Sequence, residues 1–166
     1  MKKITKILDA VLSRALILLM VCLVGAVLWQ VISRYVFASP SSWTEELARF
    51  LLIWISLLGA SYAFRSGMHL ALDVLPRKLE GMSAVWLKNF TIVLVVVFSV
   101  SVLIIGGGSL VQLTWELKQY SAVMGLPMAY VYSVIPVSGL LICFYAIAAV
   151  TDDSIGKPKE QVQVGE

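Results

Sequence analysis

The sequence predicts an all-α integral membrane protein of four transmembrane helices plus one or two amphipathic interfacial helices, with both termini inside. Two observations carry this. Of 166 residues, 60% are hydrophobic and only 14% charged, a balance displaced from soluble domains towards lipid. The apolar residues also lie in long unbroken blocks. Barrel strands would alternate in short segments, and only helices or closed barrels satisfy the backbone in lipid.

The first block, Ala15 to Ser33, carries no charge and is bracketed by Arg14 and Arg34. Twenty residues of helix span about 30 Å, one hydrocarbon thickness, so the two arginines mark opposite borders. The basic lead resembles a signal peptide, but the apolar core is too long and no small-residue cleavage site follows. A retained anchor over about 15–37 is expected. Before it, Ile4, Ile7, Leu8, Val11 and Leu12 lie opposite Lys2, Lys3, Lys6 and Asp9. That pattern predicts an amphipathic interfacial helix over 1–14, from which the chain turns into the membrane.

The second span is expected over 43–66. Ser42-Trp43-Thr44-Glu45 fits a capping box after Pro40, and Ser66-Gly67 is a plausible stop. A second interfacial segment is expected over about 70–86. The third span, about 87–115, is longer than a bilayer needs. Its Gly106-Gly107-Gly108 reads as a packing notch for another helix more readily than as a hinge. The fourth span covers about 125–151, with Pro127 suited to a first turn and Pro136 placed to kink the helix. The four spans make a membrane domain over 15–151, and 152–166 form a polar cytoplasmic tail.

Orientation follows from the basic residues. Ten lysines and arginines lie on the side of the termini, before the first span, from Arg65 to Lys88 or after the fourth span; three lie on the other side. The positive-inside rule then puts both termini in the cytoplasm. Trp29, Tyr35, Trp43, Trp115 and Tyr120 collect at the outer interface as an aromatic belt.

The residues restrict the chemistry. A formal charge of +3 spread along the chain does not make a nucleic-acid surface. One histidine, His69, cannot supply a haem or metal site in a helical bundle. Cys22 and Cys143 are isolated in apolar runs and do not form a redox pair. No aspartate or glutamate lies mid-span, where a proton-coupled exporter needs one. No catalytic, cofactor or metal site is therefore expected.

One polar cluster stands out: Arg34 with Glu45, Glu46 and Arg49. Glu45 and Arg49 are i,i+4 neighbours on a helix. The cluster reads as an ion pair fixing the first two helices together, or as a docking point for another subunit or a periplasmic protein. His69 and Asp73 share the same spacing. They suggest a local hydrogen bond more than a pH switch.

Together, Arg34-Tyr35, Trp43-x-Glu45-Glu46-x-x-Arg49, Trp54, Gly59, His69-x-x-x-Asp73, Leu126-Pro127 and Ile135-Pro136-x-x-Gly139 resemble a known family. It is the DctQ-like small membrane subunit of TRAP (tripartite ATP-independent periplasmic) transporters, and the likeness covers nearly the whole chain apart from the tail. The resemblance implies a bacterial inner-membrane protein working as a heterodimer with a large membrane subunit. In that family the large subunit carries organic acid and sodium by an elevator movement, and a periplasmic substrate-binding protein delivers the substrate transiently. The small subunit is a scaffold in contact with membrane lipids and binds neither solute nor cofactor. On that reading Trp43, Glu45, Glu46 and Arg49 hold the first two helices in register. A self-contained homodimeric exporter and a membrane anchor for a redox enzyme are the alternatives from other classes.

Overall fold

The computed structural model describes residues 2–36, 41–65 and 82–151. The helices are α1 (Lys2–Val36), α2 (Ser42–Arg65), α3 (Met82–Phe98), a π-helical segment (Ser99–Gly106), α4 (Gly107–Glu116), α5 (Met128–Tyr132) and α6 (Val134–Thr151). Four helical stretches are long and apolar enough to cross a membrane: Ile4–Val36, Ser42–Arg65, Phe90–Glu116 and Met128–Ala148.

The spans are arranged as an open row. α1 packs chiefly on α2, α2 also packs on α6, and α6 packs on the π segment. The spatial order is therefore first, second, fourth, third. The fourth span is the most enclosed, with 39% of its central window buried, whereas α1 at the flank has 6%. Where lipid surrounds the helices, close packing holds them together more than exclusion of water does. The packed centre is built on Leu12, Leu58, Val134 and Tyr145, with Leu16, Trp54 and Phe144 against them.

α1 differs from expectation. No turn separates residues 2–14 from the first span; one unbroken helix runs from Lys2 to Val36. Its inward side repeats every seven residues, with Thr5, Leu12, Ala26 and Ser33 all buried. Such a repeat suits packing on a neighbour at a shallow left-handed crossing. Leu8 and Leu12, grouped with Ile4, Ile7 and Val11 by apolarity alone, face inward towards the core. Ile4, Ile7 and Val11 face outward.

α2 begins at Ser42. At its start the Ser41 and Thr44 hydroxyls lie 2.9 Å apart, and Thr44 donates to the Ser41 carbonyl at 2.7 Å. The cap thus centres on Ser41, one residue before the expected box, and Glu45 pairs along its own helix. Residues 82–86, expected in an interfacial segment, are the first turn of α3.

The third span widens at Ser99–Gly106. Ser101 donates back to the Val97 carbonyl at 2.7 Å, which competes with the helical ladder at that point. α6 presses on this region. A Cβ on Gly139 would meet Leu103 Cβ at 2.7 Å and the Ser99 carbonyl oxygen at 3.3 Å, and one on Gly107 would meet Ile135 Cγ2 at 2.6 Å. The glycine run is thus a packing notch at Gly107, while Gly108 faces open space. The fourth span breaks at Ser133, between α5 and α6, three residues before Pro136. Proline has no N–H for the carbonyl four residues earlier and crowds it, so the ladder gives way there. Trp54 supplies a partner nearby, its Nε1 donating to the Val131 carbonyl at 3.2 Å.

Candidate functional site

The charged side-chain contacts between helices collect at the two ends of the spans. At one end, Glu46 projects from the second turn of α2 towards the loop 117–127 that joins α4 to α5. Its Oε1 accepts the Ala122 N–H at 3.2 Å. Its Oε2 accepts those of Val123 at 3.2 Å and Met124 at 2.9 Å. The Ser121 side chain also hydrogen-bonds the carboxylate.

Three consecutive N–H groups converge because the loop doubles back on itself. Met128 N donates to the Gln119 carbonyl at 2.9 Å, and Ser121 N to the Leu126 carbonyl at 2.8 Å. The turn also uses positive φ at Lys118 (46°) and Gly125 (64°). A charged acceptor strengthens such bonds, so Glu46 fastens the link between the third and fourth spans to the second. Trp115 and Tyr130 meet edge to face beside the same loop, with centroids 6.0 Å apart.

The remaining members of the expected cluster stay apart from this clasp. Glu45 and Arg49 pair at 3.2 Å, both side chains more than 60% exposed. Trp43 is half exposed, and Arg34 is exposed in the last turn of α1. Among the described residues no ion pair joins Arg34 to Glu45, Glu46 or Arg49, so the expected link between the first two helices is not made there. Glu46 is turned to the loop and Glu45 to its own helix. His69 and Asp73, the segment 70–81 and the tail 152–166 lie outside the described residues.

The first two helices are joined at the other end, by residues that sequence reasoning did not single out. Asp9 Oδ2 lies 3.0 Å from Arg65 Nη2, and both side chains are about three-quarters buried. Asp9 Oδ1 accepts the Tyr145 hydroxyl at 3.0 Å. One carboxylate thus ties α1, α2 and α6. Tyr145 is fully buried, and the Arg65 Nε is enclosed with no hydrogen-bond partner among the described residues. A signal for Asp9 was present: it stands one turn after Thr5 and one before Leu12 on the inward face. Among the described residues no three histidine, cysteine, aspartate or glutamate side chains gather as a metal site. Cys22 and Cys143 are both free thiols.

Four apolar spans fastened at their ends make a multi-pass membrane protein, and comparison with known proteins narrows the class. The family model for the DctQ component of tripartite ATP-independent periplasmic transporters matches residues 23–154. A Haemophilus influenzae Rd protein bearing the name TRAP transporter small permease protein is 32% identical over 112 residues, covering 68% of each chain. The sialic acid TRAP transporter small permease protein SiaQ of Vibrio cholerae is 25% identical over 149 residues, covering 87% of this chain and 82% of that one. The sialic acid TRAP transporter permease protein SiaT of Haemophilus influenzae 86-028NP is 28% identical over 133 residues. Those are 80% of this chain but 21% of SiaT. The chain belongs to the DctQ family of TRAP transporter small permease subunits, which are transporter components of the bacterial inner membrane and not enzymes.

Proposed function

We propose that this chain is the scaffold subunit of a sodium-driven TRAP transporter that imports organic acids. Its partners are a large elevator-type membrane subunit, which carries substrate and sodium, and a periplasmic substrate-binding protein, which docks transiently. The observation that carries the reading is where the charges lie. No Asp, Glu, Lys or Arg occurs in 15–33, 50–64, 89–115 or 124–151. Asp9, Arg65 and Glu46 are spent on the chain's own cohesion. A protein that moves an anion and cations through itself is expected to place charged groups at depth, and this one has its charged groups at the borders.

Several findings support the partners. The match to a fifth of SiaT fits a small component working beside a much longer one. Relatives named for sialic acid and for C4-dicarboxylate point to carboxylate solutes. A helix row fastened at both ends gives a moving domain something fixed to slide against, and lipids fill the remaining surface. Trp43, Glu45 and Arg49 are exposed at one end, where a partner can reach them.

The test is purification of the tagged chain from its host membranes, followed by subunit mass determination and sodium-gradient uptake in proteoliposomes. A one-to-one complex with a large polytopic protein is expected, with uptake requiring both. A homodimer alone, or transport by this chain by itself, would overturn the reading.

A further inference from the structure

We propose that the outward face of α1 is a heptad seam that seats one helix of the large permease subunit, with an acidic group of that helix opposite Arg14. The proposal deepens the scaffold reading and rests on it. The seam begins with Ile4, Ile7 and Val11, which are 58–60% exposed. It continues at the same alternating three- and four-residue spacing through Leu18, Val21 and Leu28 to Ile32 and Tyr35, all exposed. Arg14 and Gly25 occupy the two remaining positions and are exposed as well. A strict seven-residue repeat over this length matches a neighbouring helix crossing at about 20°.

Hydrocarbon alone does not cover this face. From Ile4 to Tyr35 the seam runs about 46 Å at the helical rise, against about 30 Å of hydrocarbon. Arg14 and Arg34 mark the borders of that layer, so Ile4, Ile7 and Val11 stand beyond it. Nor can those residues swing down into the interface. α1 is unbroken, Thr5 is buried against the rest of the chain, and Asp9 is fastened to Arg65 and Tyr145. Three large aliphatic side chains held outside the hydrocarbon call for a protein partner.

Charge decides which partner. Two copies of this chain share one orientation in the membrane, so pairing along the seam would be parallel. It would set Arg14 directly against Arg14 of the second copy, a like-charge contact that disfavours that pairing. A different chain offering a carboxylate at that level is attracted instead. Gly25 adds a steric feature: nothing lies within 4 Å of where its Cβ would be, so the backbone there is open to close approach by a partner helix.

The test compares Gly25→Leu, Ile7→Ser and Gly108→Leu in the tagged full chain, expressed with the large subunit. Gly108 also faces open space, but on the third span, so it controls for bulk. All three variants are expected to accumulate in the membrane like wild type. The two α1 variants should lower recovery of the large subunit about tenfold, as central interface changes do, while the control stays within about twofold. Wild-type recovery for both α1 variants would overturn the seam and leave the scaffold reading standing. Absence of any large companion from the wild-type preparation would overturn the scaffold reading and the seam with it. As a second measurement, Ile7→Cys in a Cys22→Ser, Cys143→Ser background is cross-linked in membranes. Attachment to a large polypeptide is expected, and a product of twice this chain's mass would assign the seam to a second copy.

Discussion

At the Asp9 end of the spans, three side chains from three helices meet one another; at the Glu46 end, one carboxylate meets the backbone of a loop. The first arrangement fixes helix positions directly, and the aspartate, arginine and tyrosine depend on one another because all are largely enclosed. The second fixes a connection, and the helices follow from it. Glu45, adjacent in sequence to Glu46, does neither: its pair with Arg49 is open to the surroundings. Three acids at membrane borders thus hold a helix, a loop and nothing beyond their own turn. The orientation of each side chain decides which.

Substitutions separate these roles. Asp9→Ala is expected to have the largest effect, because it leaves the partly buried Arg65 without its counter-charge and Tyr145 without its acceptor. A loss of about 3 kcal/mol is expected. It would be read as a clear fall in the melting temperature of the detergent-solubilised chain. An unchanged melting temperature would remove Asp9 from the account of that end.

Glu46→Gln keeps the size but removes the charge that three N–H groups share, so the loop should be held less firmly. Faster hydrogen exchange at Ala122, Val123 and Met124, with unchanged exchange around Leu12, would distinguish a loop clasp from a general loosening. Tyr145→Phe deletes one hydrogen bond without changing the packing and should cost about 1 kcal/mol. In a double-mutant cycle with Asp9→Ala the two losses should not add in full, since both remove the contact between Tyr145 and Asp9. Glu45→Gln should stay within about 0.5 kcal/mol. If that variant folds normally yet lowers uptake by the assembled transporter, Glu45 is turned to a partner and not to its own chain.

Much of the architecture was legible because lipid imposes simple rules. Charge-free runs of the right length gave four spans, and Pro136 marked the break in the last one. Gly107 proved to be the notch that the glycine run suggested. The clasps were harder to read. Glu46 is held by backbone N–H groups, which every residue carries and which leave no trace in side-chain patterning. Asp9 and Tyr145 are 136 positions apart, so no local spacing joins them. Asp9 also lies among lysines, and its neighbours made it look like part of a wetted face. The unbroken α1 was missed for the same reason: a turn was inferred from amphipathicity, whereas the aspartate holds the helix on course.

The order of the spans bears on how the chain is made. The first two can pair as soon as both have left the ribosome, because each is the other's neighbour in the row. The third has its main partner in the fourth, and the fourth is also its bridge to the second. During synthesis the third span therefore sits in the bilayer without its finished contacts until residues 134–151 follow it. The last helix to be made completes the bundle by seating between two already inserted.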